Sequence, residues 1–409
     1  MRERIERRSF LKQLGAGAAV AAVAPATAAR AYAANETVRV ACIGTGGRWR
    51  RLMMQRAELK GASIVGVCDI WDEHLKLARE TVGAEAFATK RWQEVLDRKD
   101  VDAVMIATPD HWHAAMTIAA CQAGKDVYVE KPLTHHIEEG PRVIDAVRQS
   151  KRVVQVGTQQ RSIEHIVKAR ELVRAGHIGR VHKVRMVWNR NYAKLALPQP
   201  VVDPQTVDWK AFLGSAPDRP FDAFRFRSWR WFWDYAGGLF TDLMVHWLDV
   251  ACWFLDLPMP QTVVAIGDHF MYAGKWETPD TVQAALRFPE SQVQATFEAT
   301  VVNSRFDGSM ELMGTEATMY LDRGRYEIYP ERRSKVPASE LVVGTGTRGS
   351  SDYREINAQL RHLQNWIDCM KTRQAPAAPV EEAAKVADMA HLANRALREA
   401  KVVSKSKAS

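Results

Sequence analysis

The chain has 409 residues, of which 46% are hydrophobic and 26% charged, and a formal net charge of +9. That length is too great for one small core, so two domains are expected, and the composition is that of an ordinary soluble globular chain. The first 33 residues carry +4 of the charge; the remaining +5 over some 376 residues does not call for a nucleic-acid or anionic-lipid partner.

Residues 1–33 read as a twin-arginine export signal. Arg7-Arg8 open "RRSFLK", an alanine-rich apolar stretch follows, and Ala31-Tyr32-Ala33 supplies an A-x-A cleavage site. The apolar run is too short and too rich in alanine for a good membrane span. Cleavage after Ala33 and no stable membrane insertion afterwards are expected, with an uncleaved anchor as the rival reading. Cys42, Cys68, Cys121, Cys252 and Cys369 are scattered, odd in number and without a C-x-x-C pair, so they read as small buried residues. Free thiols suit a protein that folds in the cytoplasm and is exported folded, with any bound cofactor, to a periplasmic or extracytoplasmic location.

From residue 37 strands and helices alternate. "TVRVACIG" is a buried strand, "RWRRLMMQRAEL" a helix, "ASIVGVCD" a second strand and "EHLKLARETV" a second helix. A short strand near residues 86–88 and a short helix at "RWQEVLDR" lead into the strand "DAVMIATP". The helix "HAAMTIAACQAG", the strand "DVYVEKP", the helix "IEEGPRVIDAVRQS" and the strand "VVQVG" complete the series. Near-continuous apolar strands between helices indicate a parallel sheet covered on both faces. Beyond residue 160, after the helix "IEHIVKARELVRAG", the runs "VHKVRMVW", "TVVAIGDHF", "TVQAALRF", "QVQATFEATVV", "SMELMGT" and "ATMYLD" follow one another as in an antiparallel sheet. Two helices, "REINAQLRHLQNWIDCMKT" and "VEEAAKVADMAHLANRALREA", precede a frayed tail, "VVSKSKAS". The expected fold class is α/β plus α+β. Residues 34–160 form a doubly wound Rossmann domain, and residues 161–409 form a domain with an open, mostly antiparallel sheet.

The turn "CIGTGGRWR" (residues 42–50) ends the first strand where a helix begins. Gly44 permits the tight turn, and Gly46 and Gly47 let the backbone approach a pyrophosphate at the helix N-terminus. Trp49 stands where the G-x-G-x-x-G pattern has its third glycine. Asp69 ends the second strand, 25 residues after Gly44, placed to accept the adenosine ribose hydroxyls. Capping the next helix is its competing role. An acid there repels a 2′-phosphate and favours NAD, while Arg48 and Arg50 leave NADP as the alternative.

Ligands of open parallel sheets bind beyond the carboxyl ends of the strands. Both "ATPDHWHA" and "DVYVEKP" end there. Pro132 fixes the turn so that the Lys131 ammonium points across the cofactor face; a surface ion pair between Glu130 and Lys131 is the bland rival. Asp242 and His246 lie four apart on a helix after Gly237-Gly238 and so share a face. Oxidising an alcohol removes a hydride from carbon and a proton from oxygen, and histidine is the side chain best matched to that proton at neutral pH. Asp242 would orient or help charge the imidazole, and Lys131 would stabilise a developing alkoxide. A satisfied core histidine is the competing reading of His246.

The segments "ATPDHWHA", "AGKDVYVEKPL", "VGTQQRS" and "WDYAGGLFTDLMVHWLD" resemble the Gfo/Idh/MocA family from about residue 37 to the last helix, with E-K-P and D-x-x-x-H as the most specific elements. The resemblance implies an open sheet that mediates homodimer or homotetramer contacts, and C-terminal helices that return towards the first domain. It implies a Lys131 that meets the reacting hydroxyl and the nicotinamide, Asp242 and His246 as the D-x-x-x-H pair, and a T-P-x-x-x-H loop of Thr108, Pro109 and His113. Thr45, Arg48 and Glu130 join Gly44, Gly46, Gly47 and Asp69 as expected cofactor contacts. Arg161, Arg230, Trp231 and Tyr235 join His246 as expected substrate contacts.

"FRFRSWRWFWDY" (residues 224–235) places seven aromatics among three arginines, suited to the apolar faces and hydroxyl edges of a sugar, or to a core cluster. The mild charge and the export signal argue against the single-stranded nucleic-acid platform that such interleaving also describes. His111-x-His113 and His135-His136 lack further ligands at metal spacing, so no metal is expected. Outside the cytoplasmic membrane no freely recycling NAD pool is expected. The leading reading is therefore an NAD-dependent sugar or polyol oxidoreductase with a tightly held cofactor. A redox-neutral glycosidase, lyase or epimerase working through a transient keto-sugar is the second, and a non-catalytic binding protein the third.

Overall fold

The first sheet is built from runs so apolar that they are stable only with both faces covered. β1 (Val38–Ile43), β2 (Ala62–Cys68), β3 (Phe87–Thr89), β4 (Ala103–Ile106), β5 (Asp126–Val129) and β6 (Val154–Val156) pair in parallel in the order β3-β2-β1-β4-β5-β6. The computed structural model describes residues 37–192, 201–343, 348–349 and 357–404; the stretch expected to be an export signal, residues 1–33, lies outside them. The crossovers carry α1 (Gly47–Met53), α2 (Asp72–Val82), α3 (Trp92–Asp97), α4 (His113–Gln122) and α5 (Glu139–Ser150). Strand order reverses between β1 and β4, so the loops after these two strands diverge and open a crevice at the switch point.

α1 is shorter than its sequence suggests, because only Trp49, Leu52 and Met53 find a core, and the chain closes with a 3₁₀ turn at Arg56–Glu58. Trp49, at the third-glycine position, points away from the crevice and is buried with Leu363, Trp366 and Met370.

α6 (Glu164–Arg174) leads into the second sheet, β7 (Lys183–Asn189), β8 (Thr262–Asp268), β9 (Thr281–Phe288), β10 (Val293–Thr300), β11 (Gly308–Met313), β12 (Ala317–Asp322), β13 (Arg325–Pro330), β14 (Ser339–Val342) and β15 (Val403–Ser404). Its order is β14-β13-β12-β11-β7-β10-β9-β8-β15, antiparallel except for β7 beside β10. β9 and β10 alternate buried with more exposed positions, the pattern of a sheet covered on one face. The tail is not wholly frayed: Val403 and Ser404 pair with the otherwise free edge of β8, while residues 405–409 lie outside the described part. β13 and β14 escape the sequence pattern because they are short and carry charged residues on the pleat.

Between β7 and β8 come α7 (Trp209–Leu213), α8 (Ala223–Arg227) and a π-helical turn, Phe240–Met244, that runs directly into α9 (Val245–Leu255). α10 (Ala358–Thr372) packs under β1 and α1, and α11 (Val380–Glu399) places Val380 and Ala384 in the core of the first domain and Met389 and Ala393 in that of the second.

Histidines brace these junctions through backbone carbonyls: His111 Nε2 lies 2.8 Å from Phe212 O, His135 Nε2 3.0 Å from Trp233 O, and His391 Nε2 3.2 Å from Thr134 O. Burial pushes them down to about 4, 3 and 4, and His136 adds repulsion to His135 and His391. The unfolded chain therefore binds protons that the folded chain refuses. Their stabilisation is complete above pH ~6.5 and is lost as pH falls towards 4; a shift of about two units is worth about 3 kcal/mol per group. The urea midpoint is expected to drop steeply between pH 7 and 5, and a midpoint that holds level or rises would refute the assignment.

Candidate active site

The crevice begins at the β1 turn. Gly44 has φ +81°, and a Cβ there would stand 2.8 Å from Ala107 C and Thr108 N, so the neighbouring β4 loop leaves room only for glycine. A Cβ on Gly46 would come 3.3 Å from His74 Cε1. Asp69, buried at the end of β2, accepts from Thr45 N at 2.7 Å and Thr45 Oγ1 at 3.0 Å through Oδ2, and from Trp71 N at 3.0 Å through Oδ1. It thus ties the first two strand ends together while still lining the crevice. The cavity measures about 400 Å³ and runs from Asp69 past Gly44 and Gly46 to Thr108, Pro109 and Lys131. An acceptor-only carboxylate, glycine backbone stripped of side chains, and crevice arginines suit the ribose and diphosphate of a dinucleotide. Arg50 and Arg227 among these arginines make no ion pair within the described residues.

Glu130 and Lys131 do not pair with one another. Glu130 is buried, receives Arg48 Nε at 2.8 Å, and accepts from Tyr128 Oη at 3.3 Å and Gln159 Nε2 at 2.9 Å. Lys131 crosses to the second domain, where Nζ donates to Asp242 Oδ1 at 2.7 Å and to the Asp242 backbone carbonyl at 2.8 Å. The Lys131-Pro132 peptide is cis.

Asp242 sits in the π-helical turn and His246 at the start of α9. Burial opposes ionisation of Asp242, but Lys131 and then Arg230, 3.7 Å away, outweigh it and hold the carboxyl at about 2. The expectation that Asp242 orients or charges the imidazole is therefore corrected: its carboxylate is taken by the lysine. His246 is buried, its ring centroid 4.9 Å from that of Trp188, and Nδ1 has no hydrogen-bond partner among the described residues. Burial, followed by the charges of Lys131, Arg323, Arg190 and Arg48, pushes it well below the ordinary histidine range. The imidazole is thus neutral at pH 7, and the same burial and cations disfavour its protonated form. Asp242 and His246 adjoin the crevice through Lys131 and are not part of its lining.

Other expected residues divide. Arg161 is not a substrate contact: its guanidinium is buried, donates twice to Asp249 at 2.8 Å and also pairs with Glu382. Trp231, stacked 5.2 Å from Trp276, and Tyr235, packed on Phe212 and His111, belong to the core, where large aromatic rings bury the most area. Arg230 does line the crevice, lying over the Trp229 ring. His113 braces two loops, with Nδ1 2.7 Å from Pro132 O and Nε2 2.9 Å from Thr108 O. Among the described residues no group of three histidine, cysteine or acidic side chains is placed to hold a metal.

Several crevice residues were not anticipated. Asp110 is buried beside Lys131, and burial pushes its carboxyl up to about 8 against the pull of Lys131 and Arg230. It lay in plain sight within "ATPDHWHA". Trp71 and His74 had no local signal, since remote segments bring them together, while Arg227 lay among the three arginines of residues 224–235 without being singled out.

A switch-point crevice with dinucleotide features, and at its edge a strand-tip lysine held by the second domain, is the design of a two-domain nicotinamide-dependent oxidoreductase. Residues 38–158 match the family model described as the oxidoreductase family with NAD-binding Rossmann fold, and residues 166–320 match the GFO/IDH/MocA C-terminal domain. The chain belongs to the Gfo/Idh/MocA family and is an NAD-binding oxidoreductase. It is 24% identical over 351 residues to myo-inositol 2-dehydrogenase of Thermotoga maritima, covering 84% of this chain and 91% of that one. It is 23% identical over 319 residues to scyllo-inositol 2-dehydrogenase (NAD(+)) of Bacillus subtilis, covering 77% and 81%. The fold matches a levoglucosan dehydrogenase in complex with NADH and L-sorbose with a TM-score of 0.71 at 19% identity, covering 90% of this chain and 99% of that one.

Proposed function

We propose that this chain oxidises a secondary hydroxyl of a sugar, polyol or glycoside, and that Lys131, Asp242 and His246 handle the proton. The observation that carries this is the Lys131 ammonium, fixed at the tip of β5 by two oxygens of Asp242 next to a neutral His246 with an unpartnered nitrogen. NAD bound in the crevice supplies the hydride acceptor. The ammonium stabilises the alkoxide form of the hydroxyl, and Asp242 keeps that ammonium charged and aimed. His246 is assigned the hydroxyl proton, a role typically worth about 10²–10⁴-fold for a positioned base, although burial and the charge of Lys131 disfavour the imidazolium. The named relatives act on inositols and the matched structure holds a sugar, which supports a polyhydroxylated substrate.

Asp110 favours a second, redox-neutral reading. Its carboxyl lines the crevice, and burial pushes it up to about 8 against the charge of Lys131, so it carries a proton that a departing group could take. Incubation with NAD and a panel of polyols, sugars and glycosides tests both. NADH accumulation with an alcohol substrate is the expected result. Release of aglycone without NADH would replace the first reading by the second, and neither signal in NAD-binding protein would remove both.

Export by the twin-arginine route to the periplasm and assembly through the open sheet, where Val264 and Ile266 are exposed, complete the proposal. Among the described residues no helix is long and apolar enough to cross a membrane. Cell fractionation and light scattering check these two points; a purely cytoplasmic or a monomeric protein would refute them respectively.

A further inference from the structure

The second domain sends one segment across the crevice. Residues 204–230 hold the 3₁₀ turn Pro204–Thr206, α7, α8 and the first residues of a second such turn, Trp229–Trp231. One end is fastened beside the β2 loop. Trp71 forms an antiparallel bridge with Val207, Asp208 N donates to Ile70 O at 2.9 Å, and Trp71 Nε1 donates to Thr206 Oγ1 at 3.2 Å. Lys90 Nζ adds a bond to Thr206 O at 3.3 Å. Further along, the segment is fastened to the β4 loop. His111 Nε2 and Trp112 Nε1 meet Phe212 O at 2.8 and 3.1 Å, and Gly214 packs so closely on Trp112 that a Cβ would stand 2.4 Å from the ring.

Phe212 and, beyond the second anchor, Phe226, Arg227, Trp229 and Arg230 complete the crevice wall. Phe226 packs edge-on against Trp71 at 5.5 Å, and the Arg227 guanidinium lies 5.2 Å from the Trp71 ring centroid. Arg227 is half-buried and makes no ion pair among the described residues, although Asp69, Asp110 and Glu130 line the same cavity. An arginine held against an aromatic face without an acidic partner is suited to an anion that enters the crevice, and phosphate is the anionic group of a dinucleotide.

We propose that residues 204–230 are a strap that belongs to the dinucleotide site, with Arg227 as its phosphate contact, and that the strap retards cofactor release. The proposal rests on NAD binding by the first domain. A site built on one domain alone empties through its open side, whereas here two anchors, at residues 206–208 and 212–214, hold the segment to the first domain along the crevice. Affinity differences of this kind fall mainly on the dissociation rate.

The test uses the full chain loaded with NAD and passed through a desalting column. Nucleotide retained per protein is measured after denaturation, and its release is followed during a chase with excess unlabelled NAD. The wild type is expected to keep most of its nucleotide. Arg227→Ala is expected to release it about ten- to a hundred-fold faster, the range set by loss of one charge-assisted contact. Thr206→Val, which removes the Trp71 Nε1 acceptor together with the hydroxyl's own bond to Asp203 O at 2.7 Å, is expected to quicken release by a smaller factor. Folding of both variants is checked by their thermal transitions. Release at the wild-type rate in both variants, or complete loss of nucleotide from the wild type on the column, would overturn the strap. Failure of the alcohol-oxidation reading looks different: nucleotide would be retained and no alcohol turned over.

Discussion

Replacing Lys131 by methionine is expected to lower kcat by about 10²–10³-fold, the usual cost of removing one donor aimed at a developing oxyanion. The thioether keeps much of the side-chain volume but has no charge to offer an alkoxide. Because that charge matters most when the hydroxyl proton is leaving, the loss belongs in kcat more than in KM. A stability effect accompanies it. Asp242 would keep Arg230, at 3.7 Å, and the charge of Arg190 for its carboxylate, and its carboxyl would rise from about 2 as burial takes over. The Lys131 and Asp242 side chains retain 13% and 15% exposure, so the destabilisation is expected at about 1–3 kcal/mol, below that of a fully buried pair. The double variant Lys131→Met/Asp242→Asn removes both charges and should regain most of the stability without regaining turnover. Initial rates of NADH formation and urea midpoints read the two effects separately. Near wild-type turnover in the single variant would end the assignment of Lys131.

The largest loss of stability is expected from Arg161→Met, at about 3–5 kcal/mol, because it strands a buried charge. Arg161 and Asp249 have side chains 2% and 1% exposed, and the guanidinium satisfies Asp249 through two bonds of 2.8 Å. Asp249 lies on α9 three residues beyond His246, and Glu382 on α11 holds the same arginine. The pair therefore clamps the helix that carries the imidazole to the segment after β6 and to the C-terminal helix. A substrate contact would behave otherwise. The variant would then fold normally and show a raised KM. Urea unfolding with KM measured on the folded fraction distinguishes the two roles: an unchanged midpoint with a large rise in KM would restore the substrate role and refute the clamp.

Much of the first domain was legible because its signals are short-range. Apolar strands broken every few residues by helix periodicity specify a doubly wound sheet, and a glycine turn followed by an acid at the next strand end marks the dinucleotide crevice. The aromatic run at residues 224–235 shows the limit of that method. Composition could not say which rings face a ligand, and folding put Trp231 and Tyr235 in the core while leaving Trp229 and Arg230 on the crevice.

By itself the chain's order of residues determined the two sheet types, the glycine turn at Gly44, the cofactor class and the lysine at the end of β5. The sheet types and the turn follow from periodicity or backbone constraint within about a dozen residues, and the cofactor class from an acid 25 residues after Gly44. Only the tertiary structure decided that Asp242 serves Lys131 across 111 positions of sequence, that Arg161 closes on Asp249 across 88, and that Trp71 is bound to Thr206 across 135. Charge pairs of this kind depend on where remote segments come to lie and how much water is left between them, and neither quantity is written in any local stretch of the chain.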